Sequence, residues 1–429
     1  MRQAHARRLG ALGALLALLG MTPAAHAAAP VINGGDTAWM LISVVLVTLM
    51  VVPGIAVFYA GLVRRKNALA TVALVLGSSA VVTLVWFTVG YSLSFSPGSG
   101  WIGGFSDILL AKALGSNTAV HPLAPTVPEA VFVMYQLGFA MVTVALIFGA
   151  VVERVRFGAA MLFAGLWALL VYAPVAHWVW HPAGWLHEFG HLDFAGGTVV
   201  HLASGVAALV LAGVVGQRRG YGVEPMPPHN LMLTTMGAGL LWVGWFGFNG
   251  GSAFGATADA ARAVLVTQAA AASGLLGWWL LEWVTRGQVS LLGLASGLVA
   301  GLIAVTPASG FVGLGAGLAI GFLGAACCFF AATWLKEKLG YDDSLDVFGL
   351  HGVAGLVGTL LTGVFQTSGK DPLQQLGVQA MGAGVVIIYV ALVTFVLAQL
   401  LRLTVSLRVV EGSEREGLDI AQHGESLAS

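Results

Sequence analysis

The chain has 429 residues, of which 58% are apolar and only 9% are charged, and its formal net charge is zero. A soluble protein carries about 25% charged residues, so this composition excludes a water-soluble globular protein. The zero net charge gives no indication of a nucleic-acid partner, and the mean hydropathy of +0.89 is typical of a protein embedded in a lipid bilayer. The adjacent Cys327 and Cys328 form neither a disulfide framework nor a zinc motif.

The first 27 residues predict a secretory signal peptide. Basic residues precede an apolar stretch over 9–20, and Ala25-His26-Ala27 supplies a small-x-small cleavage pattern. The alternative is a first membrane helix, but the stretch is shorter than the roughly 20 residues that a spanning helix requires. Cleavage after Ala27 places the mature N-terminus outside the cytoplasm.

The remaining sequence predicts an all-α polytopic membrane protein with eleven transmembrane helices. Each helix is a mostly apolar run near the spanning length of about 20 residues. We expect a membrane domain over 28–405, with an external loop at 96–127, and a polar cytoplasmic tail over 406–429. The predicted helices cover 37–62, 68–95, 129–151, 157–180, 196–216, 229–249, 261–285, 289–306, 311–335, 346–366 and 377–405.

Basic residues fall mainly in alternate loops between these helices. Such a bias marks the cytoplasmic side, so the sequence predicts a multi-pass protein of the cell inner membrane with the mature N-terminus outside and the C-terminus in the cytoplasm. The basic residues assigned to the cytoplasmic side are Arg64, Arg65, Lys66, Arg154, Arg156, Arg218, Arg219, Arg286, Lys336 and Lys338, against Lys112, Arg262 and Lys370 opposite.

An internal repeat combines an aspartate with a histidine eight residues later. Asp193 precedes His201, and Asp343 precedes His351, in both cases around the start of a predicted helix. Five helices separate the copies, so they run in opposite directions through the membrane. This pattern predicts two inverted five-helix repeats plus a C-terminal eleventh helix, with the transport path between the two repeats.

The two histidines of the repeat lie within apolar helices. A charged residue there costs about 2.5 kcal/mol or more, whereas a neutral imidazole can donate and accept a hydrogen bond at lower cost. Inverted symmetry predicts that the rings of His201 and His351 meet near the centre of a pore. The alternative is two unrelated core histidines bonded to neighbouring carbonyls. Asp193 is predicted to cap its helix, and its charge would also favour a cation in an outer vestibule.

Several long blocks, in order along nearly all of the mature chain, resemble the ammonium transporter (Amt/Rh/Mep) family, especially its bacterial Amt branch. They are PGIAVFYAGLVRRKN at 53–67, ERVRF at 153–157, DFAGGTVVH at 193–201, GWFGFNGGS at 244–252, SLLGLASGLVAGL at 290–302, DVFGLHGVAG at 346–355 and EREGLD at 414–419.

The resemblance implies an ammonium transporter or channel for nitrogen uptake, not an enzyme, that needs no cofactor. It implies a homotrimer with a narrow pore through each protomer, an outer ammonium site, a two-phenylalanine gate and a dry lumen with paired histidines. Methylammonium is the expected analogue of ammonium. The tail, otherwise interpreted as a frayed terminus, is implied to pack on the cytoplasmic face, to couple protomers and to meet a PII-type signalling protein.

The resemblance also assigns residues by position. Trp180, on sequence alone an interfacial aromatic residue, becomes the cation–π residue of the ammonium site, with Ser252 as hydroxyl ligand. Phe139 takes the inner gate position and also lines the site, while Tyr135 stands at the outer gate, where the family usually has phenylalanine. The remaining assignments are Asp193 at the ammonium site and Trp245, Phe248, His201 and His351 along the pore.

Three alternatives remain at this point. HEFGH at 187–191 matches the H-E-x-x-H zinc protease signature, but prolines and glycines crowd its short predicted loop. An ammonium sensor that signals rather than transports is the second, although the short tail argues against an attached output domain. An Rh-like gas channel is the third, and Trp180 favours the Amt branch over it.

Overall fold

The computed structural model describes residues 31–427, and the predicted signal peptide lies outside them. Ten helical segments in this part are long and apolar enough to cross a membrane, and a shorter apolar helix of 15 residues lies between the seventh and the next. We number them in chain order: α1 Gly34–Leu62, α2 Arg65–Phe95, α3 Glu129–Phe148, α4 Phe157–Glu188, α5 Gly197–Val215, α6 Leu231–Ala253, α7 Ala258–Arg286, α8 Leu291–Val305, α9 Leu314–Leu339, α10 Phe348–Phe365 and α11 Pro372–Thr404.

Each predicted helix overlaps one of these segments, and the described residues hold isolated β-bridges but no strand. The count of eleven transmembrane helices stays a prediction, because α8 is shorter than the usual span of about 20 residues. Helix α11 begins five residues before its predicted start at 377. Asp371 caps this helix by accepting a hydrogen bond from the Gln374 amide (2.8 Å), and Pro372 suits the first helical position.

Glycine repeats pack α8 and α9 against α7. A side-chain carbon at Gly301 would lie 2.2 Å from the carbonyl oxygen of Ala270, and one at Gly321 would lie 2.4 Å from the same oxygen. The backbones therefore approach as closely as small residues permit. Gly313, at the start of α9, faces open space, so it takes no part in this packing.

Helices α5 and α10 cross at a second set of glycines. A side-chain carbon at Gly205 would lie 2.2 Å from the Gly352 amide nitrogen, and one at Gly355 would lie 2.7 Å from the Leu202 amide nitrogen. Each helix begins with a π-helical turn, Gly197–Leu202 in α5 and Phe348–Gly352 in α10. Both copies of the aspartate–histidine motif thus have the same local structure, and the close crossing brings their histidines together.

The tail folds against the membrane domain through two short helices, α12 Glu411–Glu416 and α13 Leu418–His423. The Ala70 amide donates to Asp419 Oδ1 (2.7 Å), and the Leu418 amide donates to Asn67 Oδ1 (2.9 Å). The Phe157 amide donates to Gln422 Oε1 (2.8 Å). The interpretation of these residues as a frayed terminus is therefore wrong. We call the membrane face that carries α12 and α13 the tail side.

Candidate functional site

Two buried histidines meet where α5 crosses α10. His201 Nδ1 lies 3.1 Å from His351 Nδ1, and the two rings are inclined by only 26°. Trp245 stacks on the other side of His201, with ring centroids 5.3 Å apart. Because a neutral imidazole carries one N–H, one Nδ1 must donate and the other accept. The rings are thus partners of each other rather than of backbone carbonyls.

A small space, which we call the histidine chamber, adjoins these rings. Its volume is about 10 Å³, close to the least that holds one water molecule, about 10–15 Å³. Its wall also includes Tyr59, whose hydroxyl donates to the Leu146 carbonyl (3.2 Å), and Trp245, whose indole N–H donates to Thr306 Oγ1 (2.8 Å). The chamber is lined by His201, His351, Trp245, Tyr59, Met50, Ile55, Phe58, Val142, Leu146, Leu241 and Val299.

A larger space of about 170 Å³, the aromatic cavity, brings together four of the residues predicted for the ammonium site. Trp180 packs edge-to-face on Phe139, with ring centroids 5.6 Å apart, and its indole N–H donates to the Asp193 carbonyl (3.0 Å). Ser252 Oγ donates to the Phe248 carbonyl (2.9 Å), so its oxygen can still accept. The lining residues are Phe139, Trp180, Asp193, Ser252, Leu123, Gln136, Val179, His187, His191, Leu192, Phe194, Phe254 and Phe311.

Asp193 caps the first turn of α5, as predicted. Its two carboxylate oxygens accept hydrogen bonds from four consecutive amides, those of residues 196–199, at 2.7–3.1 Å. Burial raises the pKa of Asp193, and the four donors act against that shift. Since its oxygens are occupied by the helix, Asp193 acts on the cavity through its charge and by holding Trp180.

Two stacked phenylalanines lie between the aromatic cavity and the histidines. The rings of Phe139 and Phe248 are 4.1 Å apart and inclined by 26°, and the Phe248 ring is 5.9 Å from that of His201. The hydroxyl of the fully buried Tyr135 instead donates to the carbonyls of Gly247 (2.9 Å) and Phe248 (2.7 Å).

Tyr135 is not among the residues that line the aromatic cavity. Phe139 and Phe248 form a stacked pair, while Tyr135 packs edge-to-face on Phe139, with ring centroids 5.0 Å apart, and anchors the end of α6. The assignment of Tyr135 and Phe139 to the gate stays a prediction.

Gln136 is a residue of the aromatic cavity that the sequence reasoning missed. Its side chain lines the cavity, is only 3% exposed, and its Oε1 has no hydrogen-bond partner among the described residues. An unpaired buried acceptor calls for a donor. The available signal was a polar side chain within the otherwise apolar α3, where polar residues are costly.

The zinc protease motif does not form a metal site. The helical turn Trp185–Glu188 ends before His191, whose Nε2 lies 3.0 Å from Thr198 Oγ1. Burial lowers the pKa of His191 to about 4. Within residues 31–427, no group of three or more histidine, cysteine or acidic side chains is placed to hold a metal ion. The geometry therefore gives no support to zinc-dependent proteolysis.

On the tail side a charged vestibule of about 350 Å³ shares the wall residue Phe58 with the histidine chamber. Arg218 joins Glu153 (3.0 Å) and Asp342 (2.7 Å), and Arg64 also contacts Glu153 (2.9 Å). Burial alone would raise the pKa of Glu153, but the two guanidinium groups hold it below its usual range. This ion network ties four loops together around the vestibule, namely those before α2, α4, α6 and α10.

The model of the Ammonium Transporter Family matches residues 38–427. The chain belongs to the ammonium transporter family. It is 47% identical over 407 residues to a putative ammonium transporter of Methanothermobacter thermautotrophicus, covering 92% of this chain and 98% of that relative. It is 45% identical over 401 residues to the ammonium transporter of Bacillus subtilis, covering 91% and 98%. The resemblance noted in the sequence is thereby confirmed.

Solved structures of this family share the fold. Mep2 of Saccharomyces cerevisiae matches with a TM-score of 0.81 and 36% identity, over 89% of this chain and 91% of that one. A sensor Amt protein matches with a TM-score of 0.85 and 28% identity, over 91% and 98%. The all-helical membrane architecture is therefore that of the Amt and Mep2 proteins.

Proposed function

We propose a route for the ammonium transport that membership of this family assigns to the chain. Ammonium binds in the aromatic cavity and gives up a proton, and ammonia passes between Phe139 and Phe248 into the histidine chamber and on to the charged vestibule. One observation supports this route: the aromatic cavity, the histidine chamber and the charged vestibule follow one another through shared or contacting wall residues. Phe139 borders the aromatic cavity and stacks on Phe248, which lies beside His201. Phe58 borders both the chamber and the vestibule.

The aromatic cavity suits a small cation that donates hydrogen bonds. Trp180 and Phe139 offer π faces, each worth about 0.5–2 kcal/mol depending on desolvation. Ser252 and Gln136 offer acceptor oxygens, and Asp193 adds a negative charge nearby. Potassium has a similar size but no N–H groups, so it cannot donate hydrogen bonds to these acceptor oxygens. Methylammonium keeps the charge and most donors, and is expected to bind as an analogue.

The histidine chamber suits the uncharged product. Most of its wall residues are apolar, and the imidazoles, Tyr59 and Trp245 supply its polar side-chain groups, so desolvating an intact cation there is costly. Ammonia carries no charge, and it can accept from one imidazole and donate to the other. Passage therefore requires that the proton leave the nitrogen first. The imidazole nitrogens of the histidine pair are the groups beside this path that can take up that proton.

We further propose the assembly and location that the family resemblance implies. The protein forms a homotrimer in the inner membrane, with its mature N-terminus outside, after cleavage near Ala27, and the tail in the cytoplasm. Each protomer contains one pore, and a PII-type protein meets the tail side. Exposed apolar side chains on α7, such as Leu276, Trp279 and Trp283, supply surface for lipid or for a neighbouring protomer.

Proteoliposomes that contain the purified protein test this route. We expect an ammonium gradient to drive uptake with a change in internal pH, and an equal potassium gradient to drive none. Trp180→Leu removes the larger π face, so its KM for ammonium should rise by roughly 2- to 30-fold, from 0.5–2 kcal/mol. Potassium uptake equal to ammonium uptake in the unaltered protein would exclude the route.

An ammonium sensor is a second candidate, favoured by the similarity to a sensor Amt protein at a TM-score of 0.85. The same vesicles separate the two functions. A sensor binds methylammonium saturably without carrying it across the membrane, whereas a transporter accumulates it inside the vesicle.

A further inference from the structure

A buried carboxylate just before α10 has no role in the route above. Asp343 lies before α10, is fully buried, and accepts a hydrogen bond from the Phe348 amide at Oδ2 (2.7 Å). Its Oδ1 is also buried and has no hydrogen-bond partner among the described residues. Asp193, at the matching position before α5, uses both carboxylate oxygens to accept from four amides. The two copies of the motif therefore differ at this point.

An unpaired carboxylate oxygen in a buried site is unfavourable. A proton on Oδ1 of Asp343 removes the charge and converts the unpaired acceptor into a donor. Asp343 therefore has a free oxygen that can take up a proton, whereas both oxygens of Asp193 are filled by N–H donors. The sequence symmetry of the two motifs hides this difference.

We propose that Asp343 accepts the proton that ammonium gives up and releases it on the tail side. This inference rests on the transport route proposed above. Tyr59 connects the two places, because its ring borders the histidine chamber and its hydroxyl faces the loop before α10. A side-chain carbon at Gly149 would lie 2.7 Å from both Tyr59 Oη and Val347 Cγ2, and the Asp343 carboxylate interacts electrostatically with the Tyr59 hydroxyl.

Some charged groups around Asp343 raise its pKa and others lower it. Lys336 Nζ donates to the Asp343 carbonyl (2.7 Å) and to Asp346 Oδ1 (2.6 Å). Burial and the negative charge of Asp346 raise the pKa of Asp343 to about 6, while Lys336 and the amides of Val347 and Phe348 oppose the shift. The other titratable groups that interact with this carboxylate are Tyr59, Tyr341 and Arg154.

The proton transfer conserves atoms and charge. The N–H bond of a protonated imidazole in the histidine chamber breaks, its electron pair stays on the ring nitrogen, and the proton forms a new O–H bond with Asp343 Oδ1. The new O–H bond at Asp343 then breaks toward ammonia or water in the charged vestibule. Ammonium or hydronium forms there, and the carboxylate is restored.

Asp343→Asn tests this inference in proteoliposomes. Asparagine keeps an oxygen that accepts from the Phe348 amide but cannot carry the proton. In the unaltered protein, acidifying the tail side below about pH 6 protonates Asp343, so the ammonium-driven current should fall below this pH. We expect the current of the variant to be at least tenfold lower and to lack this inflection, while ammonia permeation, measured by vesicle alkalinisation, persists.

Two neighbouring substitutions shift the inflection without removing Asp343. Asp346→Asn removes a negative charge and should move the inflection to lower pH, and Lys336→Met removes a positive charge and should move it to higher pH. A folded Asp343→Asn variant with unaltered current and pH profile would overturn the inference. If that variant does not fold, an unmoved inflection in both neighbouring variants overturns it. Absence of any ammonium-driven transport in the unaltered protein would instead reject the transport route itself.

Discussion

The Nδ1 atoms of His201 and His351 lie 3.1 Å apart, so a single proton occupies the space between them. The ring that donates through Nδ1 has an unprotonated Nε2, and the ring that accepts at Nδ1 carries its proton on Nε2. His201 Nε2 is buried and has no hydrogen-bond partner among the described residues. The pair therefore offers one donor and one acceptor to a small neutral molecule, and neither ring can be replaced without changing the state of the other.

Replacing either histidine should abolish transport or change its selectivity. In His201→Ala or His351→Ala the remaining imidazole loses the partner of its Nδ1, and the donor–acceptor pair at the chamber is lost. Ammonium and potassium fluxes in proteoliposomes measure both effects. His229→Ala is the matched control, since His229 lies in the loop before α6 and bonds to the Val63 carbonyl (3.1 Å) away from the pathway. Unchanged ammonium uptake and unchanged potassium exclusion in both variants would contradict a histidine-lined pathway.

Removing the unpaired acceptor of Gln136 should weaken ammonium binding. Gln136→Leu keeps a side chain of similar size but deletes Oε1, and a hydrogen bond to a charged group contributes about 1.5–3 kcal/mol. The KM for methylammonium uptake should therefore rise by roughly 10- to 100-fold. Gln136→Glu keeps an acceptor oxygen at this position, and its KM should stay at or below that of the unaltered protein. An unchanged KM in the leucine variant would show that Gln136 does not contact the substrate.

Tyr135→Phe separates a structural role from a gating role. The Tyr135 hydroxyl bonds to the carbonyls of Gly247 and Phe248, at 2.9 and 2.7 Å. Its loss should lower the free energy of unfolding by about 1–3 kcal/mol and lower the melting temperature in detergent. Ammonium uptake and potassium exclusion should persist, because the Phe139–Phe248 stack is intact. Potassium leakage in this variant would indicate that the Tyr135 hydroxyl has a role in the gate.

The helices and the histidine pair were predictable from sequence because both depend on long apolar runs and a repeated motif. The stacking of Phe139 on Phe248 and the acceptor Gln136 of the aromatic cavity were not, because they depend on how each helix is rotated. Tyr135 and Phe139 lie one helical turn apart on α3, and only the position of Phe248 on α6 decides which of them stacks. The π-helical turns of α5 and α10 likewise leave no periodic signal in sequences this rich in glycine.

The unpaired oxygen of Asp343 predicts an unusual dependence of stability on pH. Burial and Asp346 raise the pKa of Asp343 from 3.8 to about 6, so the native state holds this proton more tightly than the unfolded chain. The extra stability is fully present below about pH 4 and is lost as pH rises through 6. The difference between these two pKa values corresponds to on the order of 3 kcal/mol.

An asparagine side chain does not titrate, so the Asp343→Asn variant lacks this loss. Melting temperatures of both proteins in detergent at intervals from pH 4 to pH 7.5 measure the difference. Relative to the unaltered protein, the variant should gain stability as pH rises, with most of the change between about pH 4 and 6. Other titrating groups are common to both proteins and cancel in this comparison. Melting curves that stay parallel over the whole range would show that Asp343 titrates with its ordinary pKa and would remove the basis for a proton on Oδ1.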